Sequence, residues 1–186
     1  AQWYRDAWLA ANADSALKRP EFNDALKALE PVISGQTPVL IETSDEQFVL
    51  RADRFASEFG LNLIVRGNGR EYRRLQEIAA TGRTLILPLD FAKAPNVATA
   101  EAAEEASLES LLHWDIAPEN PARVDAAGIR FAFTTDRLSS SAEFLKAVRT
   151  AVERGLSSTS ALRALTETPA KLFKVDDQLG TVQAGR

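Results

Sequence analysis

Four short apolar stretches of the sequence lead into charged side chains that could bind a ligand or move a proton. Three of them end in Glu42, Arg66 and Asp136, and Asp90 follows the remaining one. Because the carboxyl ends of parallel strands meet at one face of an α/β sheet, we expect these side chains around a common pocket. There Glu42 or Asp136 could act as a general base if burial made the carboxylate a stronger proton acceptor.

The same residues also have a purely structural interpretation. Arg66 could pair with Glu42 or with Asp136 as an ion pair that belongs to the fold. Asp136, at the end of the alternating segment 129–136, could instead cap the following helix or close a turn. The residue types alone leave these alternatives open.

The turn at residues 67–70, Gly-Asn-Gly-Arg, could present backbone N–H groups and an arginine to an anion at the start of a helix. It lacks the third glycine of a dinucleotide fingerprint and the Lys-Ser/Thr pair of a P-loop, and such glycines are also common in tight turns. His113 is the only histidine and cannot alone supply the several ligands of a hydrolytic zinc site. We expect it to be an ordinary, partly buried residue beside Trp114.

The amino-acid composition limits the classes of protein and of binding partner that the chain can have. Hydrophobic residues make up 45% and charged residues 26% of the 186, which is typical of a globular domain. The net charge of −4 argues against nucleic acid or an anionic membrane surface as a partner. The absence of cysteine excludes disulfides and thiolate metal sites, and the absence of methionine suggests an excised or processed segment.

Alternating strand and helix patterns must position the charged residues. Apolar runs predict strands at 38–43, 61–65, 84–87 and 129–136. Helical periodicity and breaker residues predict helices at 1–17, 21–29, 46–59, 71–80, 101–114, 118–127, 142–154 and 157–166, with a last turn at 168–170. Successive units of this kind form a parallel sheet. We expect the first strand to be buried on both faces, Pro31 to end the second helix, and Phe48 and Phe55 to face the core.

Two segments near the C-terminus resemble the amidohydrolase superfamily, in particular imidazolonepropionase-like amidohydrolases. Residues 164–173 (Ala-Leu-Thr-Glu-Thr-Pro-Ala-Lys-Leu-Phe) and 179–186 (Leu-Gly-Thr-Val-Gln-Ala-Gly-Arg) are similar to the run that leads from the family's barrel toward a small β-sandwich. Residues 128–136 are similar to its last barrel strand, which ends in an active-site aspartate. The resemblance implies an α/β fold made of the last four βα units of a TIM-like (β/α)8 barrel with parallel strands.

The resemblance also implies a division of the chain and an activity. It divides the chain into N-terminal helices at 1–37, a barrel portion at 38–175, and a tail at 176–186 that leads toward a missing β-sandwich. The parent protein would hydrolyse carbon–nitrogen bonds other than peptide bonds in a small-molecule substrate, with a divalent metal, typically zinc.

The site residues follow the family only in part. Glu42 and Arg66 stand where the family places histidines, and Asp136 alone is the residue type that the family has at its position. In the family this aspartate binds metal and takes a proton from the attacking water. We therefore predict Asp136 as the catalytic residue and Glu42, Arg66 and Asn68 as substrate-binding residues. Asp136 and Glu42 are the remaining candidates for metal ligands. Because an arginine repels a divalent ion, we expect no cofactor in this segment and no activity of the segment alone.

Two other classes of function remain open. A half barrel exposes strand edges, so the chain could be a scaffold that pairs with the rest of its own barrel or forms a homo-oligomer. It could also bind an anion or polar ligand without metal through Arg66, Asn68 and Gly69. We expect neither nucleic acid nor a membrane as a partner, and the resemblance implies an exported, periplasmic protein.

Overall fold

A four-stranded parallel sheet organises the computed structural model, which describes residues 1–183. The strands follow the chain order across the sheet: β1 (Val39–Glu42), β2 (Leu63–Arg66), β3 (Leu85–Pro88) and β4 (Phe131–Thr134). Every neighbouring pair is parallel, and helices connect each strand to the next. The predicted α/β fold with four parallel strands is confirmed.

Helices precede the sheet, cover it and follow it. In the described part they are α1 (Gln2–Ala13), α2 (Asp24–Ala28), α3 (Glu30–Ile33), α4 (Glu46–Phe59), α5 (Leu75–Ala80), α6 (Ala100–Glu105), α7 (Leu108–Ile116), α8 (Asn120–Ala126), α9 (Ser141–Glu153), α10 (Ser158–Leu165) and α11 (Glu167–Leu172). Short 3-10 helices lie at Glu71–Arg73 and Ala117–Glu119. None of the helices within residues 1–183 has the length and apolar character that crossing a bilayer requires.

Helix α4 shows how local sequence determines where a helix begins and ends. The Asp45 side chain accepts a hydrogen bond from the backbone N–H of Phe48 at 2.7 Å, which satisfies a donor of the first turn. Gly60 ends the helix with φ +64, a left-handed conformation that glycine adopts without a steric penalty. These two signals place both ends of the helix where the sequence predicted them.

The two faces of the sheet have different surroundings because side chains alternate along each strand. Val65, Leu85 and Phe131 belong to the core that the sheet forms with the helices, and each is at most 4% exposed. Arg66 and Ile86 are the next pair of register partners along the strands, so their side chains lie on the opposite face of the sheet. That face therefore carries the charged side chain that ends β2.

Two expectations about burial are wrong. Strand β1 is not buried on both faces, since Leu40 is 57% exposed on the face that it shares with Glu42. In the described part β1 pairs only with β2 and so lies at an edge of the sheet. Phe48 and Phe55 do not face the core, because smaller residues of α4, Val49, Ala52 and Ala56, form its buried face.

Several expectations about helix bounds are also wrong, among them the end of the first helix, which lies at Ala13 and not at residue 17. Pro31 lies in the first turn of α3, where its missing N–H is not needed, so it does not end a helix. The predicted helix at 71–80 is a 3-10 turn followed by α5. The predicted helix at 101–114 is divided into α6 and α7, because Ser107 caps the second one by accepting from Ser110 N at 3.1 Å.

Candidate ligand site at the strand ends

Arg66 is the centre of a charged cluster at the carboxyl ends of the strands. Its guanidinium donates through Nη1 to Glu42 Oε1 and through Nη2 to Asp136 Oδ2. The side chain of Arg66 is only 8% exposed, whereas those of Glu42 and Asp136 are 57% and 53% exposed. The structure therefore brings three of the predicted site residues together as one ion-pair network with a buried cation and two solvated anions.

The backbone around Arg66 fixes the position of this cation. Glu42 and Arg66 are register partners in the β1–β2 pair. The buried Thr43 donates to the carbonyl oxygen of Arg66 twice, through its backbone N–H at 2.9 Å and its hydroxyl at 2.8 Å. Strand pairing and this hydroxyl together hold the end of β2 against the end of β1.

Arg137 extends the network toward a third carboxylate. Its Nη2 lies 3.0 Å from Glu42 Oε1, its Nη1 lies 3.7 Å from Asp90 Oδ2, and its Nε lies 3.9 Å from Asp136 Oδ2. Arg137 has φ +65, a backbone conformation that residues other than glycine rarely adopt. The cluster thus holds three carboxylates and two guanidinium groups, so a polar ligand would meet both signs of charge.

The donor set of this cluster does not fit a divalent metal. Of its three carboxylates, Glu42 and Asp136 are the two that the sequence predicted as metal ligands, and both are bound to the positively charged guanidinium of Arg66. Within residues 1–183 no group of three or more histidine, cysteine, aspartate or glutamate side chains is arranged to hold a metal ion. Nε of Arg66 is buried and has no acceptor among the described residues, so the site also contains an unsatisfied donor.

Glu71 is a site residue that the sequence interpretation missed. Its side chain is fully buried, and Oε1 accepts from the backbone N–H groups of Asn68 at 2.8 Å and Gly69 at 3.1 Å. Its Oε2 accepts from Asn120 Nδ2 at 2.6 Å. The backbone N–H groups that the turn could offer to an external anion are thus bound to a carboxylate of the chain itself.

The side chain of Asn68 connects two loops. Its Oδ1 accepts from Arg70 N at 3.0 Å, and its Nδ2 donates to the carbonyl oxygen of Ser44 at 3.0 Å. Ser44 follows β1 and Asn68 follows β2, so this amide links the loops that carry the ends of these strands. Its predicted role in substrate binding stays a prediction.

His113 lies in a separate cluster on α7. Its Nδ1 is 3.1 Å from the hydroxyl of Tyr72, and the two rings are stacked. Burial lowers the pKa of His113, and the nearby Arg70 and Arg73 lower it further, while Glu109 opposes them. The expectation of a partly buried histidine is confirmed, and its lowered pKa favours the neutral imidazole.

Because the pKa of His113 is lowered in the folded protein, we expect the stability of the fold to depend on pH. Since its pKa in the folded protein lies below the ordinary value of 6.5, the unfolded chain takes up the proton first. The stabilisation is present above that value and is lost as the pH falls through the lowered pKa. Urea unfolding between pH 8 and about 5 should show a steeper loss of stability for the wild type than for His113→Gln. Coincident slopes would contradict this account.

Comparison with known proteins identifies what the fold and sequence are similar to. Residues 94–186 match the sequence profile of the Amidohydrolase family. The structure of an amidohydrolase from Thermotoga maritima MSB8 superposes with a TM-score of 0.75 at 21% identity over 100% of this chain. The structure of a prolidase complexed with N-methylphosphonate-L-proline superposes with a TM-score of 0.55 at 18% identity over 84% of this chain. The structure of another amidohydrolase superposes with a TM-score of 0.51 at 21% identity over 80% of this chain.

The matches differ in what they establish. At these levels of identity the structural matches show the fold, which is part of a TIM-like (β/α)8 barrel. The chain spans only 45%, 38% and 36% of the length of the three matched structures. No curated protein sequence matches the chain at a significant level.

Proposed function

Since the chain belongs to the amidohydrolase family, we propose that it is a segment of a hydrolase that acts on carbon–nitrogen bonds other than peptide bonds, and that this segment is inactive on its own. The observation that carries the proposal is the guanidinium of Arg66, bound between Glu42 and Asp136 at the strand ends. The parent family depends on a divalent metal, typically zinc. In this chain a fixed organic cation lies where the two carboxylates converge, and no chemistry through a metal follows from the residues present.

We propose a limited role for three of the predicted site residues, Asp136, Glu42 and Arg66. Asp136 is the residue that the family has at this position, and its Oδ2 accepts a hydrogen bond from Arg66. Glu42 and Asp136 remain more than half exposed and can contact a small polar molecule in the parent protein. Arg66 orients both carboxylates, which makes it a positioning residue.

The edges of the sheet support a second candidate function, a scaffold that completes a larger assembly. In the described part β1 pairs only with β2 and β4 pairs only with β3, which leaves one edge of each strand unpaired. Leu40 adds an exposed apolar side chain at the β1 edge. The rest of its own barrel, or a second copy, is the partner that would pair with these edges. Sedimentation of the chain as a strict monomer at all concentrations would contradict pairing with a second copy.

Metal content together with activity tests the first proposal. After dialysis against zinc or manganese, the purified chain should retain well under one equivalent of metal and should not hydrolyse amide or imide substrates. The control is Glu42→Gln/Asp136→Asn, which removes both candidate ligands and should leave the metal content unchanged. Retention of about one equivalent by the wild type, and its loss in the double variant, would show that the carboxylates bind metal despite Arg66.

A further inference from the structure

A second charged cavity lies at the opposite end of the strands from the Arg66 cluster. It has a volume of about 380 Å³ and opens between the residues that begin β2, β3 and β4 and the helices α10 and α11. The cations that line it are Arg83, Arg130, Arg163, Lys171 and Lys174. Among the described residues Glu167 is the one carboxylate in the lining, so the cavity is strongly positive in a chain whose net charge is −4.

Only some of these cations have carboxylate partners. Arg83 Nε lies 2.7 Å from Asp53 Oδ1, outside the lining. Lys171 and Arg163 share Glu167, with Lys171 in hydrogen-bond contact and Arg163 at 3.7 Å. These interactions, Lys171 first, lower the pKa of Glu167 and keep it ionised.

The other two cations, Arg130 and Lys174, make no ion pair within residues 1–183. Arg130 immediately precedes β4, and Lys174 follows α11 with φ +57, a backbone conformation that is unfavourable for lysine. Like charges gathered at one cavity repel each other, and an anion bound among them would remove that repulsion.

We propose that this cavity binds a small, multiply charged anion of the organic phosphate or polyphosphate class. Guanidinium groups match phosphate oxygens with pairs of parallel N–H donors, and the lining contains three of them. A volume of about 380 Å³ falls within the range of pockets for small ligands and exceeds what a single inorganic ion fills. Thr84 and Thr168 add hydroxyl groups to the same lining. The site is independent of the strand-end cluster and of any hydrolytic activity.

Pyrophosphate is the probe that tests the site. Calorimetric titration of the full chain at low ionic strength, with EDTA present, is compared with the variant Arg130→Gln/Lys174→Gln. The charge-matched control is Lys146→Gln/Arg149→Gln, which removes two exposed cations of α9 outside the cavity. Glutamine is used throughout because it keeps a long side chain, and at position 174 it leaves the backbone strain unchanged.

The expected result is saturable binding of one pyrophosphate by the wild type, weakened about tenfold or more in the cavity variant and within about twofold in the control. Thermal unfolding of each variant without ligand verifies that it folds. Equal weakening in both variants would mean that only the overall charge attracts the anion, and would overturn the proposal. Absence of saturable binding to the wild type would also overturn it, as would inorganic phosphate binding as tightly as pyrophosphate.

Discussion

Replacement of Gly67 by alanine is expected to destabilise the protein by about 3–5 kcal/mol. A Cβ atom at this position would lie 2.0 Å from Oε1 of Glu71, far inside van der Waals contact. The carboxylate cannot move away without loss, because it is fully buried and holds hydrogen bonds from Asn68 N, Gly69 N and Asn120 Nδ2. If the carboxylate moves away from the methyl group, the buried amide of Asn120 and the partly buried N–H groups of Asn68 and Gly69 lose their acceptor.

Urea unfolding at neutral pH measures this effect, and Gly60→Ala is the matched control. Gly60 has φ +64, and a methyl group at this position would have no other atom within 4 Å, so alanine there meets backbone strain alone. That strain costs about 1 kcal/mol. A loss at Gly67 no greater than the loss at Gly60 would mean that the loop yields to the methyl group, and the prediction would be wrong.

A double-mutant cycle separates the clash from the loss of hydrogen bonds. Glu71→Ala alone leaves the N–H groups of Asn68 and Gly69 without their acceptor and should cost about 3 kcal/mol. In Gly67→Ala/Glu71→Ala the methyl group no longer meets the carboxylate, so the total loss should be smaller than the sum of the two single losses. Additive losses would show that the two residues act independently.

The fold could be predicted from the sequence wherever the signal was local. The cap at Asp45 and the stop at Gly60 each depend on a few neighbouring residues, and both ends of α4 were predicted correctly. The exposure of Leu40 could not be predicted in the same way, because a continuous apolar run is the same in a central strand and in an edge strand. Which strand lies at an edge depends on pairing across the whole sheet.

The candidate site was predictable to the extent that strand ends share a face. The register partner Glu42 places a carboxylate beside Arg66, and the ion pair was one of the interpretations that the sequence left open. The simultaneous contact with Asp136 depends on a segment 70 residues away. Glu71 was missed because its partner Asn120 lies 49 residues away and neither residue belongs to a recognisable motif. Long-range partners of buried polar groups have no local sequence signal.

Arg66→Ala is expected to cost about 2–3 kcal/mol of the free energy of unfolding. The Arg66 side chain is 8% exposed and is the shared partner of Glu42 and Asp136, so its removal leaves two neighbouring carboxylates that repel each other. The loss stays below that of breaking a fully buried pair, since both carboxylates are more than half exposed and water solvates them.

The control for this variant is Arg137→Ala, which removes a guanidinium from the same network. Arg137 is 58% exposed, and its loss should cost less than about 1 kcal/mol, as exposed ion pairs usually do. Asp136→Ala should likewise cost about 1 kcal/mol or less, because Arg66 keeps Glu42 as a partner. If Asp136→Ala instead destabilises the protein as much as Arg66→Ala does, the aspartate is an essential member of the network. Its identity would then be explained by the stability of the strand ends, without any need for catalysis.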